Sequence, residues 1–463
     1  MLDGKVKDSK YSLGYHITPT EGLLNDPNGL IKFRGEYHVF YQLNPYGTKH
    51  ANKSWGHIKS IDLIHWERCP IALKPSEKYD KDGVYSGSAI EKDDKLYVFY
   101  TGNVKYTEDH RASFQCAAVS EDGIHFKKIG PLFEHPTGYT RHVRDPKVWY
   151  DTKLNTYLMI LGAQRDDNTG TILQYRSDDL LDWQFEGELI RNGYADLGYM
   201  WECPDILFSN KQDALILSPQ GLPAQENKYE NYCQTGYFTG KFNGQLGYEL
   251  DSYQFQEMDR GFEFYAPQTL VDDNRTILFG WMGIMHSDVE ASVPTIDEGW
   301  LHCLTIPREA TLIDGRLLQL PVKELENMRI TESKKQFQLE NSEALEVEIE
   351  KPFIEMLFDF KKSPKDFSCD IFRSIKMYHD SKGKKIGLSR KNWQNNQIEQ
   401  RLGTYEGELE NIRMFVDGSS IEIFVNDGYL VFSSRYFNDK SSRGIVFKGD
   451  FTACGIEIYR LEI

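Results

Sequence analysis

A turn-and-aromatic block recurs three times in the chain at nearly equal distances, and this limits the fold more than any other feature. Ser60-Ile-Asp62-Leu-Ile-His-Trp66 returns as Ser120-Glu-Asp122-Gly-Ile-His-Phe126 and as Ser177-Asp-Asp179-Leu-Leu-Asp-Trp183, with the aspartates 60 and 57 residues apart. Around the blocks lie five segments that each read as a strand, a polar turn and a more apolar strand. They run from Asn28 to Gln42 around Arg34-Gly35, from Gly87 to Gly102 around Asp93-Asp94, and from Pro146 to Gly162 around 151–155. The last two run from Pro204 to Gly221 around 209–212 and from Pro267 to Gly283 around 272–274. Second strands such as Tyr37-His-Val-Phe-Tyr41 and Leu96-Tyr-Val-Phe-Tyr100 carry the β-branched and aromatic residues that suit a pleated surface. A repeat of about 60 residues with several strands each predicts propeller blades, and five fit residues 1–308.

The repeat register also places chemistry. Asp26, Ser86, Asp145, Glu202 and Glu263 stand at the starts of the five hairpins, 60, 59, 57 and 61 residues apart. Equivalent positions on the innermost strands of a propeller converge on its axis, so four acids are expected in one central pocket. Crowding buried like charges costs stability, a cost that folding alone has no reason to bear. Read singly, each is a solvated turn residue: Asp26 in Asn-Asp-Pro-Asn-Gly suits an Asx turn, and Asp145-Pro146 a turn into a strand. The set is what argues for a site. Strand alternation puts Cys203 and Asp205 on the face opposite Glu202.

Near Gly315 the character changes. Pro321 to Met328 reads as a short linking helix with Val322, Leu325 and Met328 on one face, inside a linker spanning 309–332. From 333 to 463, period-two segments such as Leu345 to Glu350 and Ile421 to Val425, with a tight turn at Asn426-Asp427-Gly428, predict a β-sandwich. The patch Phe415 to Phe424 reads as fold rather than site.

Fifty-four Lys and Arg against 70 Asp and Glu give a net charge of −16, which does not suit a nucleic acid or an anionic membrane surface. No run approaches 18 apolar residues, and Met1 to Gly14 holds no apolar signal core. Seven scattered cysteines without a CxxC pair fit a reducing compartment. Twelve histidines show no HExxH spacing, so neither a catalytic metal nor a cofactor is expected. The expectation is a cytoplasmic protein acting on a small molecule.

In chain order stand Asn25-Asp26-Pro27-Asn28-Gly29, Tyr41-Gln42-Leu43-Asn44-Pro45, Tyr85-Ser86-Gly87-Ser88 and Arg144-Asp145-Pro146. Trp201-Glu202-Cys203-Pro204-Asp205, Phe264 to Gln268 and Leu304 to Glu309 follow. Each is a weak signal alone. The ordered set resembles glycoside hydrolase family 32, which includes invertases, fructanases and sucrose-6-phosphate hydrolases. The resemblance implies an all-β fold, a five-bladed β-propeller followed by a C-terminal β-sandwich, as the repeats also predict. It implies a retaining β-fructofuranosidase with Asp26 as nucleophile, Glu202 as acid/base, and Asp145 as transition-state stabiliser with Arg144 beside it. Such double displacement needs the two carboxyls about 5–5.5 Å apart. It also needs Glu202 protonated near neutral pH, so its pKa is expected to be raised by burial and anionic neighbours.

By the same resemblance, Asn25, Gln42, Tyr85, Ser86 and Trp281 match positions that hold the fructosyl unit. Leu23 replaces a Trp common in the family, changing one wall of the pocket. In the loop Gly47 to Trp55, His50 stands where invertases and fructanases commonly carry a sugar-facing Trp. His followed shortly by Lys, with Ser218 to Leu222 and Gly198 to Asp205, resembles the branch that acts on phosphorylated sucrose. Lys49, His50 and Lys53 are then candidate phosphate donors, and sucrose 6-phosphate the expected substrate. An invertase or fructo-oligosaccharide hydrolase is the alternative, and a non-catalytic sugar-binding propeller a third reading. The complete acid trio argues against the third, since binding alone needs no nucleophile with a proton donor.

Overall fold

The computed structural model describes residues 9–107, 110–191, 196–340, 343–437 and 442–463; the start of the Met1–Gly14 segment read above lies outside them. Residues 22–321 form five sheets of four or five strands, and 329–461 form two sheets of six. The inner strands of the first five are Gly22–Phe33, Val84–Lys92, Tyr139–Asp151, Met200–Leu207 and Tyr265–Asp272. They touch one another in a closed ring, each meeting the next and the fifth meeting the first. Trp300–Leu301 seals the ring by pairing in parallel with the first inner strand at Gly22 and Leu23.

Local chemistry sets the hairpins. Arg34 and Gly35 (φ 50° and 85°) turn the first, and Asp93 and Asp94 (φ 51° and 57°) the second, as two-residue turns whose left-handed residues fit the right-handed twist of the strands. The repeated block is an Asx turn in all three copies. Asp62 accepts the amides of Ile64 and His65 at 3.0 and 2.8 Å, Asp122 those of Ile124 and His125 at 2.8 Å, and Asp179 those of Leu181 and Asp182 at 2.8 and 2.9 Å.

Every inner strand also carries the same irregularity. Three steps along it oppose two on its neighbour between Leu24 and Pro27, Val84 and Gly87, Arg144 and Lys147, Glu202 and Asp205, and Tyr265 and Gln268. Such bulges bend a strand and re-aim side chains that alternation would send elsewhere. Asp145, Cys203 and Ala266 hold left-handed backbone there (φ 65°, 47° and 47°). At Gly87 a Cβ would lie 1.8 Å from the Phe99 carbonyl oxygen, so no side chain fits.

The register expected from sequence is corrected by these bulges. Asp26, Ser86 and Asp145 sit within them, but Glu202 stands one residue earlier on its strand. Glu263 precedes the fifth inner strand altogether, and its carboxylate takes Arg390 at 2.7 Å and the Arg435 amide at 2.8 Å, on the sandwich side. Tyr265 takes the axial place expected for Glu263. The stretch 309–332, expected as a linker, carries the strands Arg308–Ile313 and Arg316–Pro321 that complete the fifth sheet, followed by a 3-10 helix at Lys323–Met328.

The two six-stranded sheets share one core that includes Met356, Phe358, Cys369, Met377, Leu388, Ile423 and Phe447. Where they meet the five-sheet ring, buried charges are matched. Arg308 joins Asp259 at 3.1 Å and Glu422 at 3.0 Å, and Glu422 also meets His16 at 2.8 Å, whose other nitrogen lies 2.7 Å from Asp417. The patch Phe415 to Phe424 thus serves this seam. Among the described residues no helix is long and apolar enough to cross a membrane, and all seven cysteines are free thiols.

Candidate active site

The five bulges face one another, and the acids meet there. Asp26 accepts the Ser86 hydroxyl at 2.6 Å. Asp145 accepts the Cys203 amide at 3.1 Å, while its own amide donates to the Thr101 hydroxyl at 3.2 Å. Glu202 is the most heavily held. Arg144 grips one carboxylate oxygen through Nε and Nη2 at 2.9 and 2.7 Å, and Gln220 and the Tyr265 hydroxyl donate to the other at 2.6 and 2.5 Å. Arg144 also lies 4.0 Å from Asp145. One guanidinium therefore serves two acids of a trio.

The electrostatics follow. Burial raises the Asp26 pKa, Ser86 opposes it and the Glu202 charge adds to it. Burial pushes Asp145 up to about 7; Arg144 pulls against that, and the Glu202 and Asp26 carboxylates reinforce it. Glu202 goes the other way. Burial favours its proton, but Arg144, the Tyr265 hydroxyl and Gln220 outweigh burial and hold it below the ordinary carboxylate value. The expected upward shift of Glu202 is thus reversed, and Asp145 carries the raised value instead. The physical reason is the double donation of Arg144 to one Glu202 oxygen, where the resemblance implied Arg144 only as a neighbour of Asp145.

Cys203 departs from its alternation reading as well. The bulge brings it among the acids, its sulfur 4.0 Å from Asp26, and burial holds its thiol well above the ordinary value. Asp205 is fully buried away from the trio, taking Lys147 at 2.8 Å and the Thr269 amide and hydroxyl at 2.8 and 2.9 Å.

The other expected positions divide. Gln42 is buried and donates to the Val84 carbonyl at 2.9 Å. Tyr85, half-buried, borders the trio, and Arg144, Glu202 and Asp145 all act on its phenol. Trp281 pairs with Tyr265 across the fifth sheet, and its indole N–H has no partner among the described residues. Leu23 is a correction: it is fully buried in a cluster with Val293 and Leu301 and forms no pocket wall.

The expected phosphate loop is occupied by its own contacts. Lys53 donates to the Asn25 side-chain oxygen and lies 3.2 Å from His50 Nδ1, which is 3.3 Å from Asn25 Nδ2. His50 Nε2 lies 2.9 Å from Glu290, which also takes His302 Nε2 at 2.8 Å. With two donors facing Nδ1, the proton on His50 belongs to Nε2 and points at Glu290. Burial brings Lys53 down to about 8. Lys49 is exposed.

Tyr265, Gln220 and Glu290 were not singled out by sequence. Aligning the Xaa-Pro pairs Asp26-Pro27, Asp145-Pro146, Cys203-Pro204 and Ala266-Pro267 exposes the first, because Tyr265 then falls one residue before its proline-preceding neighbour, as Glu202 and Arg144 do.

A pocket that brings together three acids, one able to attack and one able to exchange a proton, is the equipment of a glycoside hydrolase. Residues 16–321 match the model of the glycosyl hydrolases family 32 N-terminal domain, and 324–459 that of the family 32 C-terminal domain. The chain is 44% identical over 429 residues to the sucrose-6-phosphate hydrolase of Bacillus subtilis (91% of this chain, 88% of that one). It is 41% identical over 437 residues to that of Salmonella typhimurium (93% and 90%). The solved sucrose-6-phosphate hydrolase of Lactobacillus gasseri superposes with a TM-score of 0.88 at 30% identity, covering 99% of this chain and 94% of that one. A Bombyx mori β-fructofuranosidase solved with sucrose gives 0.85 at 31% identity, covering 98% and 94%. The chain belongs to glycoside hydrolase family 32.

Proposed function

We propose that this protein is a retaining β-fructofuranosidase that hydrolyses sucrose 6-phosphate to glucose 6-phosphate and fructose. It acts in the cytoplasm, with its five sheets as the blades of a five-bladed propeller. The observation that carries the reaction is the trio itself: Asp26 largely buried and held by one hydroxyl, Glu202 acting on it, and Asp145 feeling both from a left-handed bulge. The names of the relatives support the phosphorylated substrate.

In the first step Asp26 attacks the anomeric carbon, forming a fructosyl ester as the bond to the glucosyl oxygen breaks, and Glu202, having taken up the proton that Asp145 releases on binding the sugar, gives it to that oxygen. In the second, Glu202 takes a proton from water, and the hydroxide so formed displaces Asp26. Asp145 accepts hydrogen bonds from fructosyl hydroxyls, and accepting them favours its anion, so the proton it holds near pH 7 becomes available to the site. Tyr265 and Gln220 on one oxygen and Arg144 on the other keep Glu202 aimed. Asn25, Gln42, Ser86, Tyr85 and Trp281 line the fructosyl pocket.

Side-by-side hydrolysis of sucrose 6-phosphate, sucrose and a short inulin tests the reading. A kcat/KM for sucrose 6-phosphate well above the other two is expected. Equal values for the first two assign the chain to the invertases instead.

A further inference from the structure

Arg111, Arg141 and Arg144 stand on the second and third sheets beside the site, and among the described residues Arg111 alone of the three has an unspent guanidinium. Gln115 and Ser113, alternate residues of the strand Arg111–Ser120, donate to the Val143 and Arg141 carbonyls of the third inner strand at 3.0 and 2.5 Å. Gln115 also accepts the Thr101 hydroxyl at 2.9 Å, and that hydroxyl accepts the Asp145 amide. The ladder therefore climbs from Asp145 outward, and period-two alternation puts Arg111 at its next rung on the same face. There the Arg111 charge acts on both Tyr85 and His142, two side chains that also feel Glu202.

The neighbouring cations are committed. Arg144 holds Glu202, and Arg141 donates to the Arg111 carbonyl at 2.8 Å and meets the His110 ring. Among the described residues the half-buried Arg111 guanidinium has neither an ion pair nor a hydrogen bond, in a chain with sixteen more acids than bases. His142 Nδ1 faces Arg144 Nη1 at 3.0 Å, so its ring proton sits on Nε2 as a further donor. The His50 loop offers the opposite: its imidazole proton is given to Glu290, whose carboxylate would repel a phosphate.

We propose that Arg111, with the Nε2–H of His142, forms the subsite for the phosphoryl group carried by the departing sugar. The inference rests on sucrose 6-phosphate being the substrate. It moves phosphate recognition from the loop Gly47 to Trp55 to the edge of the second and third sheets. A guanidinium fork matches phosphate geometry and keeps its charge at every working pH.

The test measures kcat/KM for sucrose 6-phosphate and for sucrose in wild type, Arg111→Gln, Arg111→Lys and His50→Gln. The ratio of the two values is internal to each preparation, so partial unfolding does not move it. The expected result is a high wild-type ratio that falls about tenfold or more in R111Q, through KM, falls less in R111K and stays high in H50Q. Inhibition by glucose 6-phosphate should weaken in parallel. A high wild-type ratio that survives R111Q overturns the Arg111 subsite and leaves the substrate reading standing. A wild-type ratio near one overturns both.

Discussion

The axial pocket and the seam between the ring and the sandwich bury the same residue types and handle them differently. At the seam every acid is paired with a cation: Arg308 and His16 link Asp259, Glu422 and Asp417 in one chain, Glu263 has Arg390, and Glu355 has Arg329 and Arg413 at 2.6 Å each. At the axis Asp26, Asp145 and Glu202 share essentially one guanidinium, and two of the three have raised pKa values. Buried acid alone therefore does not mark a site. Unmatched buried acid does, because its cost must be met by the rest of the fold.

The largest effect that could break the contrast is on turnover. Asp26→Asn should lower kcat by about 10⁴-fold or more while leaving the thermal midpoint unchanged or raised, since a crowded charge is removed. A variant that instead melts early with activity intact would place Asp26 among the structural acids. The converse substitution, Glu422→Gln, takes from buried Arg308 and His16 the acid they share, leaving Asp259 and Asp417 as their single partners, and should cost about 3 kcal/mol in urea unfolding, with kcat per folded molecule preserved.

A third, smaller effect sharpens the comparison through pH. The Asp145 pKa is raised from 3.8 to about 7, so between these values the unfolded chain loses a proton that the folded chain keeps. Its contribution to stability therefore falls as pH rises from about 4 to 7. In Asp145→Asn this decline should vanish, and the melting advantage over wild type should grow across that window. The smallest effect has the opposite origin. Burial would depress His16, but Asp417 and Glu422 lift it from 6.5 to about 9. Its contribution is full below 6.5 and lost as pH rises through about 9, a slope that His16→Gln should flatten in melting curves.

Much of this was legible in the chain. Hairpin turns at Arg34-Gly35 and Asn426-Asp427-Gly428, the threefold Asx block and the gathering of Asp26, Asp145 and Glu202 follow from local pattern and repeat spacing. What escaped did so for two physical reasons. Bulges break the two-residue alternation, so Cys203 turned into the pocket and Tyr265 rather than Glu263 reached the axis. Long-range partners carry no local signal: nothing near His16 announces Asp417, and nothing near Glu202 announces the double grip of Arg144 that lowers its pKa.

The central claim is that Asp26 attacks and carries the sugar. Quenching the enzyme in acid during turnover of sucrose 6-phosphate and mapping its peptides tests this directly. A fructosyl mass on the peptide bearing Asp26 is predicted; the same mass on the Asp145 or Glu202 peptide would contradict it.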